Sequence, residues 1–274
     1  EEGSTVVVEL QGTSRLPGGE GRAEVRRRPG VTEINVRLDK MKPATLFGGD
    51  FSTYLLWTLS PEGLAVNVGE FILDGERGEL RVTSPLDMFG LFVTAEPHSL
   101  VQKPSRFVVL DNTDVGVRRG RTTTRSVQYQ GFDGVYEFER ESLLRLAAAR
   151  GTNRVDRQQA AIAIALAERA GAATYAPNEL RAAVEASGRI AAAFTRGAGQ
   201  PEISLLAHET VRLAVAARDI AVVRAAEAAL EAERLATRGE IDALTLARQE
   251  SDAAAARVQE LREEAQREAA AAQA

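Results

Sequence analysis

PEISLLAHETVRLAVAARDIAVVRAAEAALEAERLATRGEIDALTLARQESDAAAARVQELREEAQREAAAA, residues Pro201 to Ala272, is the stretch on which the reading of this chain turns. It has no proline after Pro201 and a single glycine, Gly239. Ala, Leu, Glu, Arg and Gln dominate it, and all are strong helix formers. As one helix it makes a rod of roughly 108 Å at 1.5 Å per residue. No small domain buries such a rod along its whole length. The sequence therefore predicts a projection that reaches, pairs with a partner helix or leads to something further.

Working outward, composition breaks sharply near residue 139. The first 139 residues hold 4 Ala, 17 of the 23 Gly and 7 of the 9 Pro, while the remainder holds 42 Ala. Punctuated strands give way to helix at that point. A net charge of -5 argues against a general nucleic-acid binder, which needs a basic surface. Cysteine is absent, which removes disulfides, thiol chemistry and Cys-based metal sites. No apolar run approaches the length of a membrane span. The chain starts at Glu1, which reads as a mature or trimmed product.

Before the break, short strands alternate with Gly/Pro turns. Thr5–Leu10, Ala23–Arg28, Val31–Leu38, Phe51–Leu59, Leu64–Leu73, Glu79–Thr83, Phe89–Thr94 and Arg106–Leu110 are the predicted strands. Val31–Leu38 is the clearest, with Thr32, Ile34, Val36 and Leu38 on one face. Phe51–Leu59 is the most hydrophobic and carries the only tryptophan, Trp57. Gly69 suggests a bulge and Asp74-Gly75 a primed hairpin turn. The pattern predicts an antiparallel, Ig-like β-sandwich, with a small barrel as the alternative.

The stretch Thr53–Leu110, with TYLLWTLSPEGLAVNVGEF, then FGLFVTAEP, then VVL, resembles the extracytoplasmic β-sandwich domain of membrane-bound anti-sigma factors. The resemblance concerns core and turn positions. It implies a fold, and carries no sigma-regulating function, because that family's cytoplasmic helices and membrane span are not in this sequence.

Residues 126–139 read as a linker after a polar loop. Arg106, Arg118, Arg119, Arg121 and Arg125 are solvated by composition, though an anionic partner could meet them. Tyr129, Phe132, Tyr136 and Phe138 are docking aromatics. Residues 140–237 read as an Ala-rich antiparallel helical bundle. Its first helix, Glu139–Arg150, carries Leu143, Leu144, Leu146 and Ala147. Its second is Val155–Ala170, stopped by Gly171. Its third opens at Pro177, with Leu180, Val184, Ile190 and Phe194 as its core stripe. The fourth starts at Pro201 with Ile203, Leu206, Leu213 and Ile220. Residues 238–274 read as a helical extension or weak coiled coil, with Gly239 as a possible nick. Val223, Leu230, Leu244 and Val258 fall at steps of seven, while Thr237 and Ser251 fill that track poorly.

Ala167, Glu168, Ala170, Gly171, Ala172, Tyr175, Ala176, Pro177 and Leu180, followed by Leu206, Ala207, Leu213, Ala214 and Ala217, are similar to a helical domain of periplasmic or lipid-anchored bacterial envelope proteins. In that family an OmpA-like peptidoglycan-binding domain usually follows, and its gripping Asp and Arg residues are not in this sequence. The resemblance implies a periplasmic, outer-membrane-associated structural protein or scaffold.

No catalytic constellation emerges. His98 and His208 are the only histidines, and neither belongs to a metal-ligand spacing. His208 reads as surface pairing with Glu209, and Asp39, Asp50, Asp74 and Asp87 as turn or loop acids. Gly18-Gly19-Glu20-Gly21 reads as a turn. The expectation is a non-enzymatic chain with no catalytic, cofactor-binding or metal residues. It would be an α+β protein of two segregated modules, the sandwich of residues 1–125 and a bundle whose last helix extends as a stalk. Its partner would be a protein, or a second copy through the long helix; peptidoglycan would be reached only through a further domain. The alternative is a glycan- or peptide-binding module using the Pro97–Pro104 loop and the aromatics near Tyr129.

Overall fold

The computed structural model describes residues 5–48, 50–112, 131 and 154–272. The first module contains β1 (Thr5–Gly12), β2 (Glu20–Arg28), β3 (Val31–Asp39), β4 (Thr53–Leu59), β5 (Ala65–Phe71), β6 (Leu73–Asp74), β7 (Arg77–Ser84), β8 (Gly90–Glu96) and β9 (Val108–Asp111). A short 3-10 turn at Ala44–Phe47 precedes β4. The predicted strands are all present, and Thr32, Ile34, Val36 and Leu38 of β3 are buried as the alternation requires. Gly75 begins the two-residue loop between β6 and β7 with φ +62°, the positive angle that a primed turn needs.

The strands form one sheet, where a sandwich would have two. Its order is β5-β4-β8-β9-β1-β2-β3-β7-β6, and every pairing is antiparallel. The outermost strands of that order, β5 and β6, are separated in the chain by Ile72 alone, so the sheet curls back on itself as a near-barrel. Two features permit the curl. A bulge at Leu56/Trp57, opposite the Asn67–Gly69 stretch, adds twist. Gly69 lets β5 approach β7, for a Cβ there would lie 3.1 Å from both Leu80 Cδ2 and Val82 Cγ1. Leu10, Ile34, Val36, Tyr54, Leu56 and Phe71 fill the interior.

The outside of this sheet is unlike on its two halves. Across β1, β2, β3 and β7 it is a solvated charge ladder, with Arg22 near Glu9 (3.9 Å), Arg28 on Glu33 (2.7 Å) and Arg37 near Glu79 (3.8 Å). Across β4, β8 and β9 it is a second core, where Leu55, Trp57 and Phe92 pack with Val101. β4 is thus buried on both faces, which explains its nearly continuous hydrophobic run.

The second module contains α1 (Arg154–Arg169), α2 (Ala172–Tyr175), α3 (Pro177–Thr195) and α4 (Gln200–Ala272). Gly171 separates α1 from α2 at φ +82°, a left-handed conformation that suits glycine. Pro177 opens α3 with Glu179 in the first turn, as the sequence predicts. The core stripe of α3 differs from the expected one. Val184 and Phe194 are half exposed, while Ala183, Ala186, Ile190 and Ala193 are buried. Closely crossing helices bring their smallest face inward. Phe194 instead lies under the Arg157 guanidinium, 4.8 Å from the ring centroid.

In α4 the buried positions Ile203, Ala207, Thr210, Ala214, Ala217 and Ala221 fall at alternating steps of four and three, and Val211 beside Thr210 is buried as well. That spacing keeps them on one face of the helix, with alanine as its main residue. Carried on in register it meets Arg224, Ala228, Glu231, Leu235 and Arg238, and the apolar stripe ends. The chain accordingly divides into two compact units, Glu1–Ala221 and Val222–Ala274. In the second unit every side chain from Val222 to Arg267 is exposed except the half-buried Ala225. The helix continues through Gly239 without a break.

The predicted helix Glu139–Arg150, the arginines Arg118, Arg119, Arg121 and Arg125, and the aromatics Tyr129, Phe132, Tyr136 and Phe138 lie outside the described residues. No described helix is long and apolar enough to cross a membrane.

Candidate functional site

Residues directly opposite on antiparallel strands point to the same face. Thr53 stands opposite Glu96, Leu55 opposite both Thr94 and Glu70, and Trp57 opposite Phe92. The outer face of β4, β5 and β8 therefore mixes an apolar patch with two carboxylates. Residues 97–107, which follow β8, cross this face as a strap.

Glu96 is wholly buried. Trp57 Nε1–H donates to Thr94 Oγ1 (2.7 Å), and the Thr94 hydroxyl donates to Glu96 Oε1 (2.6 Å). The Ser105 backbone N–H donates to the same oxygen (2.6 Å). Oε2 has no hydrogen-bond partner among the described residues. Burial pushes the Glu96 carboxyl up to about 7, against the opposing pull of Thr94 and Ser105. The strap is pinned elsewhere too. Ser52 Oγ donates to Pro97 O (2.6 Å), Asn67 Nδ2 donates to Ser99 O (2.9 Å) and Val101 O (3.0 Å), and Ser105 Oγ donates to Ala95 O (2.9 Å). The loop expected to offer a ligand surface thus spends many of its polar groups on its own sheet.

The helices join from above. Gln159 of α1 donates through Nε2 to Glu70 Oε1, and its Oε1 accepts from Ser99 N–H (3.1 Å). Thr53 Oγ1 donates to the same Glu70 oxygen (2.5 Å). His208 Nε2 of α4 stands 3.9 Å from Glu70 Oε2. Burial raises the Glu70 pKa; the Thr53 and Gln159 hydrogen bonds and the His208 charge oppose this, while the Asp156 charge adds to it. Asp156 Oδ2 accepts from the Ser204 hydroxyl and from Gln200 Nε2 (3.1 Å). Arg169 pairs with the buried Asp50 at 3.2 Å. His98, in the strap, is fully buried, and neither ring nitrogen has a hydrogen-bond partner among the described residues. Burial first, and then the Arg218 charge, lowers its pKa to about 4.

These contacts fasten the strap to the sheet and the helices to both. Among the described residues no group of three His, Cys, Asp or Glu is arranged to hold a metal ion.

The sequence-predicted residues fall differently. Asp39, Asp74 and Asp87 are exposed, with Asp39 near Arg77 (3.5 Å) and Asp87 paired to Arg27, whereas Asp50 is buried. His208 does not pair with Glu209. Adjacent helical residues point about 100° apart, so His208 turns to Glu70 while Glu209 pairs with Arg189 at 2.9 Å. The burial of Glu96 and the half-burial of Glu70 were not legible. The available signal was the hydrophobic run of β4, because a strand covered on both faces covers its neighbours' side chains too. No family model, curated protein or solved structure matches this chain.

Proposed function

We propose that this chain is a non-catalytic structural spacer of the bacterial cell envelope, periplasmic in location. In this reading the β module and its helices form the base, and the remainder of α4 sets a distance to a protein partner. One observation carries it: the helix runs unbroken from Val222 to Ala272, and from Val222 to Arg267 every side chain but the half-buried Ala225 is exposed. About fifty helical residues correspond to roughly 75 Å. Covering themselves is not what these residues do, and no chemistry is clustered on them.

The glycan- or peptide-binding alternative is less well supported. It needs Pro97–Pro104 as a free loop, and Ser99 and Val101 are instead tied to Asn67.

Length is the property to test. Removing Ala243–Ala256 deletes two heptads and shortens the helix by roughly 21 Å while keeping its phase. A spacer loses its function in the native host with this deletion while its melting temperature is unchanged. It keeps function when Leu244 and Leu246 are replaced by glutamine. Full function in the shortened protein would refute the reading.

A further inference from the structure

The strap over the outer face of the barrel is held in two different ways along its length. Its first limb, residues 97–101, belongs to the polar joint with the helices: Ser52 and Asn67 bind it from the sheet, and Gln159 of α1 accepts from Ser99 N–H. Val101 closes this limb against Leu55, Trp57 and Phe92. The strap is anchored again at Phe107, whose ring lies 5.0 Å from that of Phe47 and 4.7 Å from that of Phe51, with the Arg15 guanidinium 4.0 Å away. Between the anchors run residues 102–106, in which Gln102, Lys103 and Arg106 are exposed and Pro104 and Ser105 are buried. Ser105 fixes this short flap to the end of β8, through its hydroxyl to Ala95 O and its backbone N–H to Glu96 Oε1.

The second of those contacts is made to a wholly buried acid. Trp57 Nε1–H only donates, so the Thr94 hydroxyl accepts from it and passes its own hydrogen to Glu96 Oε1. With Ser105 N–H on the same oxygen, Oε1 is taken by two donors, and the proton of the carboxyl belongs on Oε2. Oε2 is buried with no hydrogen-bond partner among the described residues. A neutral carboxyl is tolerated there, whereas an ionised oxygen without a donor is costly while the flap excludes water. We propose that Glu96 is a pH-operated latch: its neutral carboxyl keeps the flap of residues 102–106 closed on β8, and loss of the proton opens that flap so that water reaches Oε2.

The closed flap holds the Glu96 pKa at about 7, above the ordinary 4.5, and a water-exposed carboxyl returns toward the ordinary value. The closed form is therefore fully favoured below 4.5 and loses ground as pH rises through about 7. From about pH 5 to about pH 8 the equilibrium moves toward the open flap by roughly a hundred-fold. Burial and the Thr94 and Ser105 hydrogen bonds set the shift, with no charge among the described residues contributing. Thr53 of β4, directly opposite, is neutral and bonds to Glu70. Glu70 of β5 is raised as well, but its partners are Thr53, Gln159 and His208, none of them in the flap. His98, in the first limb, has its pKa lowered to about 4, below this window.

The test is amide hydrogen exchange of the full chain between about pH 5 and about pH 8, with rates corrected for intrinsic base-catalysed exchange. The Ser105 amide should lose protection by roughly a hundred-fold across this range, and low urea should leave its rate unchanged, because a local flap exposes little surface. The Val36 amide, on a strand paired on both sides, should stay better protected and respond to urea. Exchange registers the open flap even as a minority. Glu96→Gln should flatten the pH dependence at Ser105, since glutamine keeps an acceptor for its N–H and has no proton to lose, while Glu70 is left intact. Constant Ser105 protection across the range would overturn the latch, and that outcome needs no variant. So would an equal fall in Glu96→Gln. So too would a single protection and a single urea response shared by Ser105 and Val36 at the alkaline end, which is unfolding of the whole module.

Discussion

Replacing Glu96 by glutamine should make the protein more stable at pH 8 and slightly less stable at pH 4. The carboxyl rests at about 7 in the folded chain against an ordinary value of 4.5. A raised folded value means that the folded state holds the proton longer than the unfolded one. Stability from this group is complete below 4.5 and is lost as pH rises through about 7. The gap, at about 1.4 kcal/mol per pH unit, is worth about 3 kcal/mol. Glutamine mimics the protonated form and keeps Oε1 as acceptor for the Thr94 hydroxyl and Ser105 N–H. Its new amide protons sit where Oε2 has no partner among the described residues, at a cost of about 1 kcal/mol. The net expectation is a gain of about 2 kcal/mol at pH 8 and a loss of about 1 kcal/mol at pH 4. Urea unfolding followed by the fluorescence of Trp57, the sole tryptophan, measures both. Equal stability of the two proteins at pH 8 would show that the buried carboxylate carries no penalty, and the account of Glu96 would be wrong.

Other perturbations separate tight from loose positions. Gly12→Ala should cost more than about 3 kcal/mol, because its Cβ would fall 2.0 Å from Leu16 O and 2.9 Å from Gly19 O, both backbone atoms; Gly18→Ala, with nothing within 4 Å, should stay within about 0.5 kcal/mol in the same denaturation assay. Ala214→Leu overpacks the helical seam and should lower stability by about 1–3 kcal/mol in thermal melts. Arg169→Ala removes a partner from buried Asp50 and should cost about 2 kcal/mol, whereas Arg189→Ala breaks an exposed pair and should cost less than about 0.5 kcal/mol.

Much of the fold was legible because local rules agree with it. The strand limits, the Asp74-Gly75 turn, the Gly171 stop and the Pro177 start each rest on dihedral preferences carried by one or two residues. Closure of the sheet was legible only as the alternative to a sandwich, a small barrel. It depends on Gly69 meeting Leu80 and Val82, a contact between strands that are not hydrogen-bonded neighbours. The core of α3 misled for a related reason: large side chains look like core, yet of the expected stripe Val184 and Phe194 stay half exposed, while Ala183, Ala186 and Ala193 go inward with Ile190. The polar joint was the least visible part. Glu70, Glu96 and Gln159 are far apart in sequence and carry no motif; the register of β4 with β5 and β8 puts the two carboxylates on one face, and Gln159 reaches Glu70 from α1.

The curled sheet is sealed along its last margin by side chains and by one covalent step through Ile72, with no ladder of backbone bonds between β5 and β7. Such a closure resembles a zip fastener stitched at one end and merely pressed shut along its length. Heat or mechanical load should part the molecule there first, well before the charged staves on its far side give way.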